Sequence, residues 1–193
     1  LTLAERFKGA GYATAIFGKW QLGNTRDVWP LQQGFDEWLG TVGSNDMGRG
    51  RPSLELRRAG KAGVELVAND EIIETNPDQT RLTRRYTERA VDFIRRKRTE
   101  PFFLYVPHNM PHTPLFASPR FVGQSERGLF GDVISEIAWS VGEILRAVRE
   151  NDLDERTIIV FTSDNGPWLI FGDHGGSAGP LSGGKKQTRE GGL

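Results

Sequence analysis

Apolar positions along the chain follow two periods, and where the period changes the element changes. Leu3, Phe7 and Ala10 recur at helical spacing, and Gly11 is a natural stop for a short amphipathic helix. ATAIF, residues 13–17, is then a compact apolar and β-branched run closed by Gly18, which predicts a strand. From about residue 24 to 76 little periodicity can be read: WPLQQGFDEWLG is punctuated by aromatics and glycine, and SNDMGRGRPS reads as loop. Between Pro77 and about Lys97, Leu82, Tyr86, Ala90, Phe93 and Ile94 return at helical spacing among Arg, Thr and Glu. That spacing predicts a surface helix with one buried stripe.

PFFLYVP, residues 101–107, reads as a short buried strand. A second strong helix is expected over about Asp132 to Glu150, with Val133, Ile137, Val141, Ile144, Leu145 and Val148 on its inner face. It leads through NDLDER into TIIVFTSDNG, the pattern of a central parallel strand whose carboxyl end opens into a loop. Helices alternating with buried strands predict an α/β domain with a largely parallel central sheet flanked by helices.

Composition narrows the function classes. The 193 residues, with 37% hydrophobic and 26% charged, suit one globular domain with a sizeable core. The 25 basic and 25 acidic residues cancel, so no global field gathers nucleic acid or an anionic membrane, and any bound anion must be held locally. No apolar run approaches the roughly 20 residues of a bilayer span, and LTLAERFKGAG lacks the charged lead and apolar block of a signal peptide. With no cysteine there is no disulfide, thiolate metal site or cysteine nucleophile. The first residue falls a few positions into a helix and the last follows a dense glycine loop, so the chain is expected to be a segment of a longer protein.

In open α/β sheets, ligands bind beyond the carboxyl ends of the strands. Three polar clusters follow the predicted strands: GKWQLG with Lys19, HNMPHTP with His112, and SDNGP with Asp164 and Asn165. Each also has a plain structural reading: a solvated loop lysine, a histidine in a rigid proline loop, and a turn ended by Gly166. Together they offer a cation, an imidazole and a carboxylate–amide pair to one sheet edge. GDHGGSAGPLSGGKKQTREGG adds a glycine-rich loop in which backbone N–H groups and Lys185 could approach an oxyanion, or which could simply be a surface loop. Asp164 and Asn165 would suit a hard cation, but two oxygens fall short of the six to eight or so that calcium takes.

GYATAIFGKWQLG is similar to the second sulfatase signature, GYxTxxxGKWHLG. PFFLYVPHNMPHTPLFASPRF, GDVISEIAWSVGEIL, TIIVFTSDNGP and GPLSGGKKQTREGG follow in the order and spacing of arylsulfatase-like enzymes. The chain thus resembles the sulfatase family of the alkaline phosphatase superfamily over nearly its whole length, least between about residues 47 and 76. The resemblance implies an incomplete sulfatase catalytic domain over residues 1–193. The segment carrying the nucleophile would lie before it and a further region after it.

The implied activity is hydrolysis of small-molecule or carbohydrate sulfate esters, using calcium and a formylglycine nucleophile made from Cys or Ser in a C/SxPxR motif. Asp164 and Asn165 match the later pair of calcium ligands. Lys19 and Lys185 match lysines that hold the nucleophile and the sulfate oxygens. His112 matches a histidine that contacts sulfate and assists the leaving group, and Ser44 falls where some members place a substrate-contacting serine. The family is usually exported.

The chain departs from the pattern in three respects. No C/SxPxR motif occurs, and Ser118 in ASPRF has the wrong spacing. Gln21, a further candidate for substrate contact, stands where the signature has a histidine, and Ala138 replaces an aspartate common in this helix. Two other readings stay open, the second of them because glutamine cannot act as a general base. One is a phosphomonoester or phosphodiester hydrolase of the same superfamily; the other is an inactive homologue that keeps the anion pocket.

Overall fold

A computed structural model describes residues 1–48 and 53–192; residues 49–52 of the SNDMGRGRPS loop reading lie outside the described residues. Helix α1 spans Leu3–Gly9 and opens on a capping box, in which Thr2 Oγ1 accepts from the Glu5 N–H and the Thr2 N–H donates to Glu5 Oε2. Its buried residue is Ala4, whereas Leu3 is 68% exposed and Ala10 is exposed. The face expected from Leu3 and Ala10 is therefore rotated. Ala4 is the residue that meets the sheet, packing with Ile16, Trp38 and Val67, and Leu3 is left in solvent.

Five strands form one sheet: β1 (Ala13–Phe17), β2 (Glu37–Thr41), β3 (Glu65–Ala68), β4 (Glu71–Thr75) and β5 (Phe102–Tyr105), in the order β4-β3-β2-β1-β5. β1 pairs in parallel with β2 and β5, and β2–β3 and β3–β4 are antiparallel, so only β3 runs against the others. The largely parallel α/β sheet expected from the alternation is present, with a hairpin added at one edge. That hairpin and β2 lie in the stretch where no period was legible. They are short, and the β3–β4 turn relies on Asn69 in the left-handed region, φ 54°, rather than on glycine.

Pleating sends alternate residues to opposite faces. Ala15, Phe17, Leu39 and Leu66 pack against Leu82, Tyr86, Ala90 and Phe93 of α3 (Leu82–Arg96). Ile16, Trp38 and Val67 meet Ala4, Trp20, Trp29 and Phe35 on the other side. A short α2 (Leu54–Arg58) lies in the crossing between β2 and β3, and the long α4 (Gly128–Glu150) packs along α3. Ile94 of α3 joins Ala147, Val148 and Leu153 in their shared seam.

One predicted strand is absent. TIIVF, residues 157–161, forms no strand, and Ile158, Val160 and Phe161 are 93%, 79% and 75% exposed. Its apolar pattern is that of a buried strand, but no strand among the described residues pairs with it. β5, expected to be buried, is correspondingly the sheet's edge on that side, with Tyr105 49% exposed.

Candidate active site

The loop after β1 is fixed by its backbone. Gly18 sits at φ 147°, where a Cβ would lie 2.0 Å from the Pro107 carbonyl oxygen, so only glycine lets these two chains pass. Beyond it the Lys19 N–H donates to Pro107 O, Trp20 N–H to Thr41 O and Gln21 N–H to Val42 O, each at 2.8 Å. GKWQ is thereby bound across the ends of both β5 and β2. Trp20 is buried, with its indole N–H donating to Val28 O, and Lys19 is left with its side chain 16% exposed, Nζ 4.0 Å from Asp164 Oδ2. Burial holds the Lys19 ammonium below its ordinary pKa; Asp164 opposes this, and Lys185 adds to the depression.

His112 comes from the loop after β5. Its Nδ1 is 2.6 Å from the Thr113 carbonyl, which can only accept, so Nδ1 carries a proton and Nε2 is the nitrogen free to exchange one. Burial pulls the His112 pKa down, helped by Lys185 and Lys19, while Asp46 and the Thr113 carbonyl pull it up; the balance is a lowered value. The His112 ring lies 5.8 Å from that of Trp168. Lys185, whose N–H donates to Pro167 O, places Nζ 4.9 Å from the Trp168 ring centroid, with Lys186 Nζ at 5.4 Å. Lys19, His112, Lys185 and Asp164 thus share one cluster, although the loop bearing Asp164 follows no strand.

The other candidates are placed differently. Asp164 has its side chain 72% exposed, and Asn165 is half-buried with its carbonyl accepting from Ser163 Oγ. Among the described residues no group of three or more His, Asp or Glu side chains is arranged to hold a metal. Asp164 and Asn165 suit calcium in kind, being hard oxygen donors, but not in number. Gln21 has φ 56° and an exposed side chain. Ser44 is fully buried, its Oγ 3.3 Å from Asn45 Oδ1. Asn45 in turn donates to Gln79 Oε1 and Pro114 O and accepts from Gln79 Nε2, so this buried net anchors the 44–46 turn to the histidine loop.

Two residues of the cluster were not singled out from sequence. Asp46, read only as loop, has its side chain 13% exposed with Oδ1 3.9 Å from His112 Nδ1. Trp168 is the aromatic surface that Lys185, Lys186 and His112 share. The only sequence signal for either was proximity to a motif: Asp46 lies two residues beyond Ser44, and Trp168 directly follows SDNGP.

Comparison with known proteins gives a consistent picture. N-acetylgalactosamine-6-sulfatase of Sus scrofa is 41% identical over 99% of this chain, which spans 38% of that protein. Human arylsulfatase A is 34% identical over the full chain and 41% of its own length. Among solved structures, the PsFucS1 sulfatase from Pseudoalteromonas sp. superposes with a TM-score of 0.80 at 25% identity, over 100% of this chain and 43% of that one. The sulfatase family model matches residues 1–193, and the chain belongs to the sulfatase family.

Proposed function

We propose that the complete protein hydrolyses sulfate esters, with this chain supplying the cationic and acidic side of its active site. The observation carrying this reading is the convergence of Lys19, Lys185 and His112 beside Asp164. A sulfate ester gains negative charge on its oxygens as sulfur is attacked, and two ammonium groups held in a partly buried site stabilise that charge with little reorganisation. Asp164, 4.0 Å from Lys19 Nζ, favours the ammonium form against the opposing effect of burial. His112, with Nδ1–H committed to Thr113 O, presents Nε2 as the position from which a proton reaches the departing oxygen. Asp164 and Asn165 would give two oxygens to a calcium ion, which when bound supplies positive charge toward the sulfate. The attacking group would be a formylglycine upstream of Leu1, and the protein would be exported. The named activity of the porcine relative makes a sulfated carbohydrate the substrate class to try first.

Gln21 favours a second reading, a homologue that binds sulfated ligands without turnover. One experiment separates the readings. The complete protein, purified with calcium and with its nucleophile converted, is given matched sulfate and phosphate esters, and the Gln21→His variant is run beside it. Sulfate release above phosphate release, faster in Gln21→His, is expected. Preference for the phosphate ester would replace the reaction class, and sulfated-ligand binding without release would favour the inactive homologue.

A further inference from the structure

The Asp46 carboxylate is divided between two neighbours of opposite use. Oδ2 accepts from Arg57 Nη1 at 3.1 Å. Oδ1 is buried with no hydrogen-bond partner and lies 3.9 Å from His112 Nδ1. A buried carboxylate oxygen without a donor forfeits its hydration with nothing in return, so it persists where something else compensates. Here the compensation is the imidazole. The geometry around the ring is one-sided: Thr113 O takes the Nδ1 proton, Asp46 stands behind the same nitrogen, and Lys19 and Lys185 lie among the groups whose positive charge bears on the ring. Asp46 is the negative charge set against those two cations, and Arg57 withdraws part of it.

We propose that Asp46 is a positioning residue that supplies the counter-charge for protonated His112, so that the imidazolium is oriented to donate its Nε2 proton to the leaving oxygen. This rests on the sulfate-ester reading above. In the balanced step the attacking oxygen of the nucleophile proposed above forms a bond to sulfur as the bond between sulfur and the ester oxygen breaks; the electron pair of the broken bond goes to the ester oxygen, and the Nε2 proton joins it to give the alcohol and neutral His112. The proposal also explains why the 44–46 turn is locked through Asn45 to Pro114, two residues beyond His112: the acid and its counter-charge are carried on separate loops that must keep register. Without Asp46, burial and the two lysines favour neutral imidazole, which has no Nε2 proton to give.

The test uses the complete protein and its Asp46→Asn variant on a graded series of sulfate esters. An acidic phenol leaves without a proton, whereas a sugar alkoxide does not. Asp46→Asn should lose about 10- to 100-fold in kcat/KM on a sugar sulfate, part of the 100- to 10,000-fold that a positioned acid contributes. On 4-nitrophenyl sulfate it should lose less than about 3-fold, and Asp46→Glu should recover part of the sugar-sulfate rate. The His112 13Cε1 resonance, assigned by its loss in His112→Gln, should titrate about one pH unit lower in Asp46→Asn, since an opposite charge at this range is worth that much or more. The Arg57→Gln variant, which leaves Asp46 in place, should move that midpoint upward and remains informative should Asp46→Asn not fold. Equal losses across the ester series, or a midpoint unmoved in both variants, would overturn the proposal. Absence of sulfate-ester turnover in the unmodified protein would instead defeat the functional reading, while the titration still decides the role of Asp46.

Discussion

At the scale of single residues, burial decides what a side chain can do more than its identity does. Two histidines on the same loop show this. On His112 the neighbouring Asp46 carboxylate works against burial, whereas burial acts on His108 unopposed. Its Nε2 is 3.2 Å from Ser140 Oγ, its Nδ1 is buried without a partner, and burial pushes its pKa down to about 4. A base whose folded pKa lies below its unfolded value of about 6.5 binds protons preferentially in the unfolded chain between those values. Stability from neutral His108 is therefore complete above pH 6.5 and is lost as pH falls from 6.5 toward 4, by up to about 3 kcal/mol. Urea unfolding at pH 7.5 and pH 4.5 should show that loss reduced in His108→Gln; an identical loss in the variant would assign it to other groups. From sequence both histidines flank the same Asn-Met-Pro stretch; His112 stands out between two prolines, and the resemblance adds a role for it. Lys19 and His112 could be picked out as candidates because each follows a predicted strand, and Lys185 because it sits in a glycine-rich loop. Asp46 could not, because an aspartate in a loop is ordinary until its neighbours are known.

Elements were legible where one period ran long enough to exceed local noise. The α3 stripe from Leu82 to Ile94 and the inner face of α4 span several turns each, so their helices could be read from spacing alone. β2 to β4 are strands of four or five residues joined by irregular chain, and what determines them is contact across the sheet rather than pattern along it. Gly40 in β2 is an example. A Cβ there would lie 1.6 Å from the Gly18 carbonyl oxygen and 2.6 Å from Trp38 Nε1. Gly18 is also tied to β2 through its own N–H, which donates to Leu39 O. The methyl of Gly40→Ala would have to displace the backbone that carries Lys19, and overpacking of this kind costs about 1–3 kcal/mol or more. Gly142 is the contrasting case: it is exposed within α4, and a Cβ there meets nothing within 4 Å. Gly142→Ala should stabilise by roughly 1 kcal/mol through helix propensity. Thermal unfolding of the two variants should therefore shift in opposite directions. A Gly40→Ala protein as stable as the parent would mean that the β1 and β2 ends are held less rigidly than their hydrogen bonds indicate.

Across the whole molecule, the largest difference between pattern and structure is the run from Thr157 to Phe161. Its residues have the composition of an interior strand, and the pattern reading was sound as far as pattern goes. A strand, however, is a relation between two segments, and a single segment cannot show in its own sequence whether a partner stands beside it. Ile158, Val160 and Phe161 project into solvent, while among the described residues no strand pairs with the outer edge of β5. An exposed apolar β-branched run together with an open strand edge is the combination that recruits other strands, because each unsatisfied N–H and C=O is a template for pairing. The 193-residue chain should therefore bind an apolar dye such as ANS and self-associate as its concentration rises, with the contact at residues 157–161. Replacing Ile158 and Val160 by lysine places two like charges on that run. Since neither side chain contributes to the buried core, the double variant should fold unchanged while remaining monomeric and binding less dye. Sedimentation velocity over a concentration series, with dye fluorescence on the same samples, measures both effects. A parent chain that stays monomeric and dark would show that the run is covered in solution, and a double variant that associates as before would place the contact elsewhere.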